Sequence, residues 1–425
     1  MMSTLRNAWK VPELRNRIIF TVLMVTVIRL GNHIPVPGVD TSALAGLAQE
    51  GTLFSFYDLM SGGALSSFSI FAMGVIPFIN ASIIFSLLTI AIPPLEQLSK
   101  EGEEGRKKIQ KYTRYAAVAI GVLQSFSTYG LITQAGALPN ASKMQVFLIV
   151  LTLTTSSVFL IWLGDQITVR GIGNGISLII FVNIISRLPQ TLLRVKSLKD
   201  TGAVNLVQIV LLAAFSVIVF AIVIIATLSE RRIPIQYAAK GSSGKLYRGQ
   251  STHIPINMNS SGIIAIIFGM SVMQFPKTIA LFIPDSAFAA WVQTSKFSPF
   301  RADSWLYAVI YAVLVIFFTW FYTEVTFKPD EMAENIHKSA GFIPGIRPGE
   351  QTALYIGRVL LKVSILGGLF AAFIALTPTG IQNFTPFSTI TFGGTALLIE
   401  VGVALDFMRT LESQLVMRHY KGFLK

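Results

Sequence analysis

Long apolar runs separated by short polar segments dominate the pattern of the chain. A bilayer core needs about 20 mostly apolar residues per helix, and ten runs meet that requirement. The predicted spans are approximately 17–34, 68–92, 115–135, 146–164, 172–188, 205–228, 259–283, 305–326, 353–376 and 391–411. The pattern therefore predicts an all-α membrane protein with ten transmembrane helices.

Helix-breaking and polar residues interrupt the second predicted span. Its stretch FAMGVIPFINASIIF carries Gly74, Pro77 and Asn80 within an otherwise apolar run. Irregular backbone at membrane depth occurs only where protein or a water-filled cavity satisfies its polar groups. We interpret this span as the border of a central pathway. A proline kink packed against neighbouring helices is the simpler alternative.

The ten spans divide into five and five, and the second span of each half contains helix breakers. The stretch SIFAMGVI (69–76) shares four positions with IIFGMSVM (266–273), and Pro276 interrupts the seventh span. Two halves with an odd number of spans must insert with opposite topology. This arrangement predicts an inverted repeat with an N-terminal half at 1–190 and a C-terminal half at 191–425.

Composition and charge agree with a membrane protein and set its orientation. Apolar residues make up 52% of the 425 residues and charged residues only 13%, whereas about a quarter of a soluble domain is charged. Most of the 34 Lys and Arg residues lie before the first span, after even-numbered spans and near the end of the chain. Because positively charged loops stay in the cytoplasm, both termini and the large loops 229–258 and 327–352 are predicted to be cytoplasmic.

The residues of the interrupted spans favour a pore over a catalytic or metal site. The chain has no Cys and only four His, and its GSSGK stretch lacks the spacing of a nucleotide-binding loop. The interrupted spans offer Val75, Ile79 and Ile267, and the short fifth span adds Ile176 and Ile180 one turn apart. Such residues could form a hydrophobic constriction that excludes ions by dewetting. Periodicity by itself favours ordinary buried residues.

Glu400 is the exception to this apolar pattern, because it lies in the middle of the tenth predicted span. An ionisable residue at that depth is typical of a proton-coupled transporter. Two other functions therefore stay open. One is an ion-coupled secondary transporter that depends on Glu400, and the other is a passive assembly scaffold in which the loops carry the function.

Eight ordered motifs extend along most of the chain. They are IPVPG (34–38), GGALSSFSIFAMGVIPFINASIIFSLL (62–88), KEGEEGRKKIQKYTRY (100–115), RGIGNGISLIIF (170–181), RRIPIQYA (231–238), STHIPI (251–256), FIPGIRPG (342–349) and FGGTALLIEVGVALD (392–406). Together they resemble the SecY family of protein-conducting channels. The resemblance implies two pseudo-symmetric five-helix halves around a central hourglass pore. It also implies that unfolded polypeptide crosses through the centre, and that apolar segments leave sideways into lipid between spans two and three and spans seven and eight.

The same resemblance assigns roles to particular residues. The implied pore ring is Val75, Ile79, Ile176, Ile180, Ile267 and Ile399. A short re-entrant plug on the outer side is implied at about 54–67 and includes Phe54, Tyr57, Leu59, Met60, Gly62 and Gly63. The implied lateral gate includes Asn80, Ser82, Gln124, Ser271 and Gln274.

The cytoplasmic loops of this family bind the ribosome or the motor ATPase SecA. The implied docking residues are Arg231, Arg232, Lys240 and Arg347. For Arg231 and Arg232, the charge that sets topology is an equally good explanation. The resemblance further implies SecE and SecG as partner subunits, signal sequences and unfolded secretory polypeptides as substrates, and contact with membrane lipid. No cofactor is expected, and the expected location is a bacterial plasma membrane.

Three features depart from the family pattern. Ala265 stands where many relatives have Pro, and this could alter the bend of the seventh span. The loop tip AAKGSSGKLYRG is less basic than usual, which could weaken docking of a partner. Glu400 stands where relatives are usually apolar, and it could change the wetting of the pore.

Overall fold

The chain is predominantly helical. The computed structural model describes residues 6, 8–39, 58–134, 136–138, 142–237, 251–258, 262–283, 286–295, 298–301, 304–387 and 394–422. Its helices up to residue 228 are α1 (Pro12–Gly31), α2 (Ile76–Ala91), α3 (Pro93–Lys100), α4 (Glu103–Gln134), α5 (Lys143–Arg170), α6 (Gly175–Ile185), α7 (Leu188–Asp200) and α8 (Leu206–Leu228). The later helices are α9 (Gly262–Phe282), α10 (Ala287–Thr294), α11 (Trp305–Phe327), α12 (Pro329–Lys338), α13 (Glu350–Phe384) and α14 (Gly394–Gly422).

Each predicted span coincides with a helix, but the number of spans is not confirmed. Within the described residues, five helices are long and apolar enough to cross a membrane, or six if α2 and α3, which meet at 99°, form one broken span. Charge explains part of the difference between the ten predicted spans and the five or six helices that qualify. Arg15, Arg17 and Arg29 all lie within α1, for example, and each charge lowers the mean hydropathy of the helix.

The surface of these helices is apolar where neighbouring helices do not cover it. Val217 and Ile225 of α8 are each 67% exposed, and Phe373 of α13 is 62% exposed. A soluble monomer rarely exposes contiguous apolar surface of this kind. The helices therefore present a lipid-facing exterior, as expected of a multi-pass membrane protein.

The all-α expectation is wrong in the two large loops. They contain the strands β1 (Glu230–Tyr237), β2 (Ser251–Asn257) and β3 (Gly341–Phe342). The three strands form an antiparallel sheet in the order β2-β1-β3. In β1 the buried Ile233 and Ile235 alternate with exposed residues, which is the period-two pattern of a strand with one covered face.

The sheet joins the loops 229–258 and 327–352 into one body. Ile233, Ile235 and Ile256 from the strands form a buried cluster with Ile336 of α12 and Ile356 of α13. Because the strands of one loop pair with a strand of the other, neither loop can take this conformation alone. The combined loops therefore have a fixed shape relative to the start of α13.

The second predicted span begins later than expected. Residues 62–75 form turns and a single bridge residue, and α2 starts only at Ile76. Gly74 has a φ of +55°, a conformation that side chains with a Cβ rarely adopt. Pro77 lies in the first turn of α2, where its missing N–H costs nothing. The Ser157 hydroxyl of α5 donates a hydrogen bond of 2.9 Å to the Gly74 carbonyl, and so satisfies backbone at the break.

The seventh span is continuous, contrary to expectation. Helix α9 runs through Pro276 without a described break, and α11 and α13 pack along it. Neighbouring helices of this kind support a helix whose proline has removed one backbone bond. The stretches 69–76 and 266–273 therefore differ in conformation, one being mostly turns and the other helix. Their local similarity does not support the repeat.

Close packing of α5 on α6 depends on two glycines. A Cβ at Gly175 would lie 1.9 Å from the carbonyl oxygen of Gly164, and a Cβ at Gly164 would lie 2.9 Å from Cγ1 of Ile176. Small residues allow helices in membranes to approach closely. The contact fixes α6, which carries Ile176 and Ile180, against α5.

We predict that Gly175→Ala destabilises the protein by about 1–3 kcal/mol, because the added methyl group overlaps the α5 backbone. Thermal unfolding in detergent measures the change. The matched control is Gly130→Ala in α4, where a Cβ meets nothing within 4 Å. That control should be neutral or slightly stabilising. Equal melting temperatures for the wild type and Gly175→Ala would contradict the close contact.

Candidate pore and lateral gate

Five of the six predicted ring residues lie in one apolar cluster at the centre of the bundle. Val75 is 2% exposed, Ile180 is 7% exposed and Ile399 is 3% exposed, and all three are buried members of the cluster. Ile79 and Ile176 are partly buried and pack against it. Helices α2, α6 and α14 meet here, and α6 packs directly on α14. The five side chains belong to one continuous apolar cluster, which we call the candidate constriction.

Ile267 is the ring residue that the structure does not bring into this cluster. Its side chain is partly buried, and the residue of α9 that packs against the cluster is Ile263, one turn earlier. The two isoleucines lie on the same face of the helix. In this conformation, therefore, α9 meets the constriction one turn before the predicted position.

The described part of the plug is seated against the constriction. We call residues 58–67 the plug segment. Met60 and Ala64 are buried in the same cluster as Val75 and Ile399, and Leu59 packs against it. Phe54 and Tyr57 lie outside the described residues. The apolar side of the plug segment is thus packed into the same cluster as the predicted ring residues.

Gly62 and Gly63 allow the plug segment to approach its neighbours closely. Their φ angles are +70° and +94°, so both adopt the left-handed conformation that favours glycine. A Cβ at Gly62 would lie 2.9 Å from Oδ1 of Asn183, and one at Gly63 would lie 2.8 Å from Cζ of Arg187. The two glycines therefore permit polar side chains to reach the backbone of the plug segment.

Polar side chains from the surrounding helices hold the plug segment, and the sequence reasoning missed them. Asn32 donates a hydrogen bond of 3.2 Å to the Ser61 carbonyl, and Asn183 donates one of 3.1 Å to the Met60 carbonyl. Arg187 forms an ion pair with Asp58. The available signal was the presence of amide and ionisable residues in or beside apolar spans, which are usually functional.

A hydrogen bond joins the two predicted walls of the lateral gate. Ser271 of α9 donates to Oδ1 of Asn80 in α2 over 3.2 Å. Ser82 and Gln124 are partly buried on α2 and α4. The side chain of Gln274 lies outside the described residues. Of the predicted gate residues, Asn80 and Ser271 are thus brought together across the seam.

An apolar seam continues the gate on one side of this bond. Ala265 and Phe268 of α9 are buried with Phe318 of α11, and Ile83 and Leu87 of α2 pack against them. The rings of Phe268 and Phe318 have centroids 5.1 Å apart. Ala265 is fully buried, so its small side chain lets α2 approach α9. The seam closes the gap between α2 and α9 on the side of the Asn80–Ser271 bond that is nearer the β1–β3 sheet.

The predicted docking residues of the loops are exposed where they are described. Arg347 lies between Gly345 and Gly349, whose φ angles are +80° and +96°. Its carbonyl accepts a hydrogen bond of 2.9 Å from the Thr352 hydroxyl, and neighbouring Ile346 packs on the loop cluster. The backbone is thus fixed while the guanidinium of Arg347 faces outward.

The other docking residues lie on or beyond β1. Arg231 and Arg232 are exposed on that strand, and Arg232 forms an ion pair of 2.6 Å with Glu230. Lys240 lies outside the described residues. On α12 the Lys338 ammonium is 2.7 Å from Glu334, and its hydrogen bond lowers the pKa of that carboxyl group.

Glu400 lies beside the ring without being part of it. It is partly buried in α14 between the buried Ile399 and Val401. Ala396 is a buried member of the apolar cluster and Val403 packs against it. Both lie one turn from Glu400 along α14, so Glu400 borders the cluster on the same face of the helix.

Comparison with known proteins shows the family of the chain. The sequence profile of the SecY family matches residues 69–408. The protein translocase subunit SecY of Thermotoga maritima is 42% identical to this chain over 436 residues, which cover 100% of this chain and 98% of that protein. The chain belongs to the SecY family. The corresponding subunit of Escherichia coli K12 is 40% identical over 427 residues, covering 97% of this chain and 94% of that protein.

Solved structures share the fold of the chain at lower sequence identity. The structure described as that of a protein conducting channel matches with a TM-score of 0.65 and 20% identity, covering 94% of this chain and 92% of that one. Sec61 in the canine ribosome-channel complex matches with a TM-score of 0.62 and 20% identity, with the same coverage. The SecY profile includes every predicted ring, gate and docking residue and starts after the plug segment.

We predict that Ile399→Asn increases ion leak through the closed protein, because an amide in an apolar constriction favours wetting. Burying the amide without a partner costs about 1–3 kcal/mol, and water entering the constriction relieves that cost. Conductance of planar bilayers containing the purified protein measures the leak. Ile399→Leu keeps the constriction apolar and should conduct as little as the wild type. Equal conductance of all three proteins would remove Ile399 from the ring.

Proposed function

We propose that this SecY-family chain is the central channel subunit of a protein translocase. It moves unfolded secretory polypeptides across the membrane and releases apolar segments sideways into lipid. The observation that carries the proposal is the apolar cluster that Val75, Ile180 and Ile399 form together with Met60 and Ala64 of the plug segment. An apolar ring makes no specific hydrogen bonds, so it can surround a chain of any sequence and still exclude ions.

The helix contacts support ten spans in two pseudo-symmetric halves. Contacts between neighbours recur in matching positions: α2 with α4 and α9 with α11, α4 with α5 and α11 with α13, α5 with α6 and α13 with α14, and α1 with α6 and α8 with α14. In each comparison, the two helices of the second pair hold the same positions in the C-terminal half that the first pair holds in the N-terminal half. Such equivalent packing is what an inverted repeat produces, even though the local match at 69–76 and 266–273 does not support it.

Sideways release fits the seam between α2 and α9. Within the described residues, polar contact across it rests on one hydrogen bond between Asn80 and Ser271, and the other described contacts of the seam are apolar. A single neutral hydrogen bond contributes about 0.5–1.5 kcal/mol. Apolar contacts between helices are readily replaced by lipid tails or by an apolar segment of substrate, since these are equally apolar. The seam can therefore open without a large loss of free energy.

The exposed arginines of the loops suit a cytoplasmic partner that supplies energy. In this proposal Arg231, Arg232, Lys240 and Arg347 meet the motor ATPase SecA or the ribosome. SecE and SecG complete the channel, and both chain termini lie in the cytoplasm of a bacterial cell. The fixed backbone around Arg347 supports this role, because a side chain on a rigid turn binds with less loss of entropy.

Disulfide cross-linking to a stalled substrate tests the pathway directly. The chain has no Cys, so each introduced Cys is unique. Ile79→Cys and Ile176→Cys should each cross-link to one Cys in a precursor stalled midway, because both lie at the constriction. A disulfide requires Cβ atoms about 3.5–4.5 Å apart, and therefore reports contact.

The matched control is Leu151→Cys in α5, whose side chain is 49% exposed on the outside of the bundle. It should not cross-link to the precursor. Cross-linking at Leu151 with none at Ile79 or Ile176 would place the polypeptide outside this centre. The channel function would then be rejected.

Charge reversal tests the docking role of Arg347. We predict that Arg347→Glu abolishes ATP-driven translocation in vesicles with SecA, whereas membrane insertion and thermal stability stay unchanged because the side chain is exposed. Lys338→Glu is the control in the same loop, since its exposed pair with Glu334 contributes little to stability. Wild-type translocation by Arg347→Glu would show that this arginine does not couple the motor to the channel.

A further inference from the structure

The plug segment is tied to the bundle by a buried ion pair. Asp58, at the start of the segment, pairs with Arg187 in the turn between α6 and α7. The side chains are only 8% and 12% exposed. Lys, Arg and Asp are rarely buried to this degree unless they are paired. The pair therefore replaces the water that each charge loses when the plug segment is seated.

The same two side chains hold both ends of the plug segment. Oδ1 of Asp58 accepts a hydrogen bond of 2.7 Å from the Ser66 backbone N–H. Arg187 donates one of 3.2 Å to the Ser66 hydroxyl, and its other terminal nitrogen donates one of 2.6 Å to Gln190. Arg187 is thus fixed on α7 at one side and contacts both ends of the plug segment at the other.

Backbone carbonyls in the middle of the plug segment are held by the neighbouring helices. Asn183 and Asn32 donate to the carbonyls of Met60 and Ser61, and the two amides are linked to each other at 3.3 Å. Arg29 of α1 donates to the Ser186 hydroxyl at 2.8 Å, beside Arg187. Among the described residues, the polar anchors come from the end of α1, the end of α6 and the turn that follows it, and none comes from the described helices after residue 205.

The ion pair differs in kind from the apolar contacts of the plug segment. Met60 and Ala64 cover the ring, and an apolar stretch of substrate can replace them with similar contacts. Charges cannot be exchanged in that way. Removing one partner of a buried pair leaves an uncompensated buried charge, which is strongly unfavourable. The plug segment cannot leave its seat without separating Asp58 from Arg187.

We infer that Arg187 is a positioning residue that latches the plug segment in the closed channel through Asp58. Separation of this pair is the step that releases the plug segment when a substrate enters. The inference rests on the proposed function, because a latch has a purpose only if the channel opens for polypeptides. It concerns the balance between closed and open channels, and leaves the route of the polypeptide unchanged.

A single Cys reports the movement of the plug segment. Ala64 is fully buried against the ring, and the chain has no other Cys. In Ala64→Cys vesicles, a membrane-impermeant thiol reagent added on the side away from the β1–β3 sheet reacts only when the plug segment moves. We expect Asp58→Asn and Arg187→Gln each to increase the reaction rate at least about tenfold. Both should also increase ion leak and accept precursors with defective signal sequences.

Matched variants separate a latch from a general loss of charge or of structure. Lys199→Gln removes an exposed cation from α7 and should leave the reaction rate unchanged. Arg187→Lys keeps the charge and should stay close to the wild type. The double variant Asp58→Asn with Arg187→Gln should react more slowly than Asp58→Asn alone, because neither side chain is then a buried charge without a partner.

Translocation by the wild type in the same vesicles keeps the two proposals apart. If the wild type does not translocate a precursor, the proposed function fails, whatever the thiol reaction shows. If the wild type translocates while Asp58→Asn and Arg187→Gln match its reaction rate and leak, the latch is rejected. Should Arg187→Gln fail to accumulate, Asp58→Asn decides the question. This change only replaces one carboxylate oxygen of the plug segment by an NH2 group, so it keeps the size of the side chain.

Discussion

Irregular backbone inside a membrane protein must have every polar group satisfied, and this constraint organises the centre of the structure. Residues 58–75 cross the middle of the bundle as a short helical turn and a series of turns before α2 begins at Ile76. A buried backbone group without a partner costs about 1–3 kcal/mol. Side chains of α1, α5 and α6 meet this requirement, with Ser157 bonded to the Gly74 carbonyl and Asn183 bonded to the Met60 carbonyl. The position of these helices and the path of residues 58–75 therefore depend on each other.

Two kinds of contact meet at the same place and have different consequences. The contact of Met60 with Ile399 and Val75 is apolar and without direction, so it seals against ions and can be exchanged for contact with a passing chain. The contacts of Asp58 and Asn183 are polar and directional, so they set one position for the plug segment. A channel that closes reliably and opens for any sequence needs both kinds, because the first gives tolerance and the second gives a defined closed state.

The gate shows the same division on a smaller scale. Phe268 of α9 packs with Ile83 and Leu87 of α2 in an apolar seam, and Asn80 with Ser271 adds one directional bond. The predicted gate lies between α2 and α9. Loop 229–258 follows α8, and loop 327–352, which carries Arg347, connects α11 with α13. Because β1 and β3 join those loops, the partner proposed to dock at Arg347 would act on one body connected to several helices. This connection would give it a mechanical route to the helices around the candidate pore.

Apolar run length located a helix in each predicted span. The resemblance to the SecY family assigned six ring residues, and the structure brings five of them into one cluster. Local pattern failed where distant residues decide the conformation. Pro276 predicted an interruption, yet α9 is continuous because α11 and α13 pack along it. The strands of the two loops were missed because β1 gains its partners from residues 251–257 and 341–342, and pairing of such distant segments leaves no short-range signal apart from the alternation around Ile233.

The sequence by itself determined the membrane class, the helix positions and the place of the break at Gly74, since these depend on local hydropathy and on backbone freedom. Only the tertiary structure decided which polar residues hold the plug segment. Asp58 and Arg187 are separated by 129 positions, and an aspartate and an arginine so far apart carry no sign of pairing in the chain. Their partnership arises because the turn after α6 lies beside the plug segment, and burial makes each charge depend on the other.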